Sequence, residues 1–229
     1  MMKYKFNEFS QQTIDFTDEA VVAEYDQKQL GSIETERKLA QELGLVPEHR
    51  VIEFGPGTGA LSIAMAEICQ HVYAVDTSQA MLTYLGQSAQ SLGRSNISTH
   101  HAGFLSYEHA HAPVDFIVTK FAFHHLPDMW KAVALTKFNM MLKQGGRFYL
   151  QDVIFSFQPQ QYEEAINAWI DEITQAGGWA REAFEVHVNE EYSTFSWILE
   201  RLIRDSGFRI IKTNYWTDTY GSILCQKIS

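Results

Sequence analysis

Cysteine is nearly absent from this chain. Only Cys69 and Cys225 occur; they lie far apart in sequence, and neither stands in a C-x-x-C pattern. That argues against a disulfide framework or a cysteine-based metal site and favours a reducing compartment. Basic charge is scarce as well: Lys and Arg number 18 against 28 Asp and Glu, for a formal net charge of −10. Phosphate backbones are bound largely through Lys and Arg, and no Lys/Arg run is visible, so no nucleic-acid partner is expected. Long apolar runs are missing too. Nothing approaches the roughly 20 residues that a membrane-spanning helix needs, and Met1–Glu8 lacks the apolar core of a signal peptide. The expectation is a cytoplasmic protein without a membrane span.

What the chain does contain is core material. Of its 229 residues 45% are hydrophobic, enough for one domain with a modest insertion. Residues 1–48 read as a polar, helical N-terminal cap, with a helix from Ser32 to Leu43 stopped at Gly44 and Pro47 beyond it. Residues 50–152 alternate short apolar runs with amphipathic stretches. Strands are expected at Arg50–Phe54, Val72–Val75, Asn96–His101, Val114–Val118 and Arg147–Gln151. Helices are expected at Thr58–Cys69, Ser78–Leu92 and Asp128–Leu142, the last with Asp128 as its N-cap. Such alternation means βαβ units and a parallel sheet covered on both faces. Residues 153–206 change rhythm to a helical insertion. One helix carries Tyr162, Ala165, Ile166, Trp169, Ile170 and Ile173 and ends at Gly177-Gly178; another carries Phe195 to Ile203 and is closed by Gly207. In residues 207–229, Phe208–Thr213 and Gly221–Gln226 are separated by too few residues for a crossover and should pair antiparallel. The predicted fold is a Rossmann-like, doubly wound α/β sheet of seven strands. It is mostly parallel, with one antiparallel strand near the C-terminus, and carries helical lid segments.

The segment Gly55-Pro56-Gly57-Thr58-Gly59-Ala60 follows a strand and opens a helix. Glycines there let the backbone pass close to a ligand, and free N–H groups are available at the helix start. In open α/β sheets, ligands sit outside the carboxyl ends of the strands. The same segment also satisfies the dinucleotide pattern G-x-G-x-x-A, and Asp76 at the end of the second strand suits ribose hydroxyls in either reading. Glu53, two residues before Gly55, separates the two. A carboxylate there opposes a pyrophosphate but serves a cationic amino-acid group, which favours S-adenosylmethionine (SAM).

With those residues in view, the chain resembles the class I SAM-dependent methyltransferases of the small-molecule type, near those of ubiquinone and menaquinone biosynthesis. Val51–Gly59 resembles the first family motif, and Tyr73–Leu82 the second. Asp115–Val118 through His124-His125-Leu126-Pro127-Asp128 resembles the fourth-strand motif, and Leu142–Phe148 the stretch before the fifth strand. The resemblance covers residues 50–152 in order. It implies that Glu53, Gly55, Pro56 and Gly57 contact the methionine part of SAM. Asp76 would bind the ribose, Thr77 and Met81 would flank ribose or adenine, and Gly103-Phe104 would pass the adenine. Thr119, Lys120 and Phe121 would lie near the sulfonium. Many relatives carry an acid in the adenine loop; here it reads His101-Ala102-Gly103-Phe104-Leu105, without one.

Methyl transfer from a sulfonium is displacement at an activated carbon, so alignment of the nucleophile and exclusion of water are the main catalytic demands. A general base is needed only when the acceptor must lose a proton. His124 and His125, at the mouth of the expected site, are the first candidates; Asp152, at the end of the fifth strand, is a second, for which a helix cap or loop hydrogen bond is the favoured reading. His100, His101, His109 and His111 are read as ordinary surface or loop residues, and no metal site is expected. The fourth strand ends Thr119-Lys120-Phe121-Ala122, unlike the Asp/Asn-Pro-Pro-Tyr/Phe of enzymes that methylate nucleobase or glutamine nitrogen, and no Pro-Cys nucleophile follows.

The expected partner is a small-molecule acceptor. Its pocket is assigned to aromatic residues outside the core: Tyr4, Phe6, Phe9, Phe16 and Tyr25 on one side, and Phe155, Trp169, Trp179, Phe184, Tyr192 and Trp197 among those on the other. Tyr25 and Trp169 are the proposed lid residues. The competing readings are an NAD-dependent oxidoreductase and a non-enzymatic SAM-binding regulator.

Overall fold

A computed structural model describes residues 5–10, 22, 32–176 and 181–229. Tyr4, Phe16, Tyr25, Gly177, Gly178 and Trp179, singled out above, lie outside the described residues. In chain order the elements are α1 (Ile33–Glu42), β1 (Arg50–Phe54), α2 (Ala60–Ala66), β2 (His71–Asp76), α3 (Gln79–Ser91), β3 (Ile97–His101) and β4 (Val114–Lys120). A 3₁₀ turn (Phe123–His125) follows, then α4 (Asp128–Met141), β5 (Leu142–Phe155), α5 (Tyr162–Ala176), α6 (Arg181–Glu190), β6 (Thr194–Phe195), α7 (Ser196–Asp205), β7 (Phe208–Tyr215) and β8 (Tyr220–Lys227).

The main sheet runs β3-β2-β1-β4-β5-β8-β7, with the short β6 pairing off this path to the end of β5. Strands β1 to β5 pair in parallel, and β8 lies antiparallel to both its neighbours. The predicted doubly wound sheet with one reversed C-terminal strand is thus present. Strand order reverses about β1, whose partners are β2 and β4, and this is where such sheets open a crevice.

Alternation along the strands sorts the core. Ile52, Phe54, Ile117, Phe148 and Leu150 face one way, into an aromatic cluster with Phe104, Phe123, Phe138 and Phe208. Val51, Phe116, Val118 and Tyr149 face the other, against Ala40 and Leu43 near α1 and Leu61 and Met65 of α2. This period of two, buried on both faces, is why the parallel strands read as continuous apolar runs. It also places Glu53, between Ile52 and Phe54, on the α1/α2 side.

Local expectations fared unevenly. Ser32 and Ser78, read as the first residues of their helices, stand one position earlier as side-chain N-caps of α1 and α3. Asp128 does not cap α4. Pro127 occupies the N-cap, and the Asp128 carboxylate instead accepts from Lys131 Nζ at 3.1 Å and Thr194 Oγ1 at 3.0 Å. Helix α2 is shorter than the predicted Thr58–Cys69. Gly59 is left-handed at its start, and Glu67 and Ile68 turn back on Ala64 and Met65 at its end. Strand β5 continues past Gln151 to Phe155, because β8 pairs with it as far as Val153 and β6 takes over beyond. Helix α6 was not read from the sequence. No helix among the described residues is long and apolar enough to cross a membrane.

Candidate active site

A cleft opens at the carboxyl ends of β1, β2 and β4. Its walls include Phe54, Gly55 and Gly57 from the glycine loop, Asp76, Thr77, Ser78 and Met81 from the β2–α3 turn, and Gly103 and Phe104 from the loop after β3. Phe121, Ala122, His125 and Leu126 come from the turn after β4, and Glu8 comes from the N-terminal segment.

The glycine loop is locked to the end of β2. Gly55 N–H donates to Val75 O at 2.9 Å, and Gly57 N–H to Asp76 Oδ2 at 3.3 Å. Gly55 has φ 69°, and a Cβ there would stand 2.4 Å from Ala122 Cβ; glycine is required both for conformation and for space. Asp76 also accepts the Ser78 N–H at 2.8 Å. Burial raises its pKa to about 6, although the N–H groups of Ser78, Gly57 and Thr77 pull the other way.

Behind the loop, Glu53 is buried on the α1/α2 side and accepts from Ser62 Oγ. Burial pushes its pKa up to about 8, with the neighbouring acids Glu36 and Asp76 adding to the effect and Ser62 and Lys120 opposing it. Lys120 pairs with Glu36 of α1. Glu53, Pro56, Thr119 and Lys120 are thus not among the residues that line the cleft, whereas the other sequence-predicted cofactor residues line it.

Phe121 adopts φ 52°, the one non-glycine among the described residues with positive φ. The bond from its N–H to Gln151 O at 2.8 Å holds it there. Backbone strain of this kind collects at functional sites, and here it turns an exposed aromatic ring into the cleft mouth, edge-on to Tyr220 at 6.0 Å.

The two candidate histidines part company. His125 lines the cleft. His124 is buried: its N–H and Nδ1 donate to Asp152 Oδ2 and Oδ1 at 3.0 and 2.5 Å, and its Nε2 lies 2.8 Å from Glu191 Oε2. Burial works against charge on His124, but the Asp152 and Glu191 carboxylates carry its pKa up to about 10. Asp152 thus serves a hydrogen-bond role, as read, though within a strand.

A methyltransferase-domain family model matches residues 51–146. An uncharacterized methyltransferase of Bacillus mycoides (strain KBAB4) is 30% identical over 163 residues, covering 71% of each chain. The chain belongs to the methyltransferase family. Among solved structures, a SAM-dependent methyltransferase from Aquifex aeolicus superposes with TM-score 0.65 at 17% identity, covering 92% of this chain and 99% of its own. The YcgJ protein of Bacillus subtilis does so with TM-score 0.64 at 17% identity, covering 86% and 99%. These share the fold.

Among the cleft residues of the methyltransferase that sequence reading missed, Glu8 carries charge. Glu8 accepts from Leu105 N–H at 2.9 Å and Ser106 N–H at 2.8 Å, and a Cβ on Gly103 would stand 2.3 Å from its Oε2. An acid therefore does reach the loop that lacks one, but from the N-terminal segment. The missing acid in that loop, together with its glycine, was the available signal. Trp169 is buried against Phe155, Phe184, His187 and Tyr220, so it forms a wall of the insertion rather than an exposed lid surface. His71, His100, His109 and His111 gather around Tyr73, away from the glycine loop.

Proposed function

We propose that this methyltransferase uses SAM as donor and methylates a small-molecule acceptor by direct displacement, in a single domain whose outer segments, 1–48 and 153–206, frame the acceptor. The observation that carries the reading is Asp76, a carboxylate at the end of β2 hydrogen-bonded to the glycine loop at the sheet's switch point. The donor set suits SAM. Asp76 accepts from the ribose diol, the Gly55–Gly57 backbone borders the amino-acid end, and Glu53 behind it supplies a countercharge. Met81 and Phe104 flank the base, and Glu8 stands where the adenine amino group needs an acceptor.

When bound, SAM supplies an activated methyl group on a sulfonium, which an acceptor nucleophile displaces. The chain's part is to hold the reactants in line and keep water out. Phe121 and Leu126 supply apolar surface at the mouth. His125, the one of the two histidines that lines the cleft, contacts the acceptor and takes its proton where the acceptor carries one. His124 supports the turn from behind. The buried free thiols Cys69 and Cys225 fit a reducing, cytoplasmic setting.

The test is a thermal-shift comparison of SAM, S-adenosylhomocysteine and NAD, followed by mass-spectrometric detection of methyl transfer across an acceptor panel. Stabilisation by S-adenosylhomocysteine and not by NAD is expected, since a ligand that binds the native state raises its stability. Stabilisation by NAD alone would overturn the reading. Tight SAM binding without transfer to any acceptor would favour a regulatory role.

A further inference from the structure

Behind the cleft, the end of α6 meets the His124-His125 turn. Tyr192 N–H donates to His124 O at 2.9 Å, Lys131 Nζ donates to Tyr192 O, and Thr194 binds Asp128, so residues 191–194 are stitched to this turn. At the junction His124 Nε2 lies 2.8 Å and His187 Nδ1 2.9 Å from the same atom, Glu191 Oε2. The three donor atoms lie within 4.8 Å of one another, the one such group among the described residues. All three side chains are about nine-tenths buried.

The outward nitrogens of both imidazoles are already engaged. His124 Nδ1 is bonded to Asp152 Oδ1 at 2.5 Å, and His187 Nε2 lies 2.9 Å from Ser193 Oγ. Metal-bound histidines are held in this way, the far nitrogen fixed by a carboxylate or another polar group while the near one faces the ion.

We infer that His124, His187 and Glu191 form a binding site for one divalent cation of the zinc class, which staples α6 of the insertion to the turn that carries His125. Two imidazoles and a carboxylate match the ligand preference of such ions, which bind N and O donors at about 2.0–2.1 Å. Donors of a tetrahedral site stand roughly 3.3 Å apart at those bond lengths, near the 2.8 and 2.9 Å that separate the two imidazoles from Glu191 Oε2. The charge also closes: the ion takes the place of the proton on His124 Nε2, which passes to solvent, and its two positive charges balance the Glu191 and Asp152 carboxylates, both shielded from water. His125 Nδ1 stands outside the group, 3.6 Å from Glu191 Oε2; water completes the shell.

The experiment uses the full chain, stripped with chelator and shown folded by circular dichroism. Zn²⁺ is titrated against a chromophoric competitor, and Co²⁺ is used to read ligand geometry by visible absorption. One equivalent per chain is expected, with a rise in Tm. Ser193→Ala should weaken Zn²⁺ by about 10- to 100-fold, the usual cost of losing an outer-shell partner. His187→Gln should abolish the Co²⁺ bands. If the folded wild-type chain takes up no Zn²⁺ at micromolar concentration, or if His187→Gln binds it unchanged, the site is instead a metal-free ion-pair cluster. Neither readout depends on methyl transfer or on SAM.

Discussion

The Glu8 carboxylate accepts the Leu105 backbone N–H at 2.9 Å, across 97 positions of sequence. This bond brings an acidic group from the N-terminal segment to the loop that follows β3. Carboxylates retain further acceptor sites after such a bond, so the group can still serve a ligand amine. Glu8→Ala should therefore weaken S-adenosylhomocysteine binding by about 10- to 100-fold, the cost of a hydrogen bond to a charged group. The analogue with inosine in place of adenosine should bind wild type and variant alike. Calorimetry with both ligands checks this, and equal affinity of wild type and Glu8→Ala for S-adenosylhomocysteine would remove Glu8 from the site.

Glu53 carries a pH signature. Its pKa is raised from 4.5 to about 8 in the folded chain, so the native state keeps a proton that the unfolded chain releases across that window. Stability of the free protein should decline as pH rises from about 4.5 to about 8 and then level off. Asp76, raised from 3.8 to about 6, adds a slope of the same sign at lower pH. Chemical denaturation of Glu53→Gln, set against wild type across this range, isolates the Glu53 part; identical slopes would contradict it. Near pH 7, binding of a ligand with a cationic amino group should release a proton from Glu53. Calorimetry in buffers of different ionisation enthalpy measures that release.

Gly55→Ala tests whether the loop is under steric control. The substitution meets Ala122 Cβ at 2.4 Å and holds φ at 69°. Loss of cofactor binding and a destabilisation of about 1–3 kcal/mol are expected. Adding Ala122→Gly should relieve the overlap and leave only the backbone cost, about 1–2 kcal/mol. Denaturation midpoints of the single and double variants should therefore differ; if they coincide, the close approach of Ala122 is not what demands glycine.

His125 separates binding from turnover. His125→Ala should lower kcat by about 100-fold where the acceptor must lose a proton, with the S-adenosylhomocysteine Kd nearly unchanged. An acceptor that is already deprotonated should escape most of that loss. A variant whose kcat is unaffected for every acceptor would confine catalysis to alignment.

The parallel core was legible because β1, β2 and β4 are buried on both faces, and that burial shows in the chain as short runs such as Val51–Phe54 and Val114–Val118. The glycine loop and Asp76 were legible for a related reason: backbone approach and diol binding demand specific residue types at fixed spacing along one βαβ unit. Local chemistry misled at Asp128, whose carboxylate found Lys131 and Thr194 in place of its own helix.

Other features had no local signal. Glu8 reached the cleft, His124 turned away from it while its neighbour His125 lined it, and His187 and Glu191 met His124 from the end of a distant helix and the residue after it. Spacing along one element constrains only residues that share that element's period. Contacts between elements depend on how helices dock on the sheet, and burial energy that drives docking is largely blind to which polar groups are thereby brought together. The amino-acid order therefore announced a methyltransferase core and its donor loop, whereas the partners of Glu8, His124 and Glu191 came from packing.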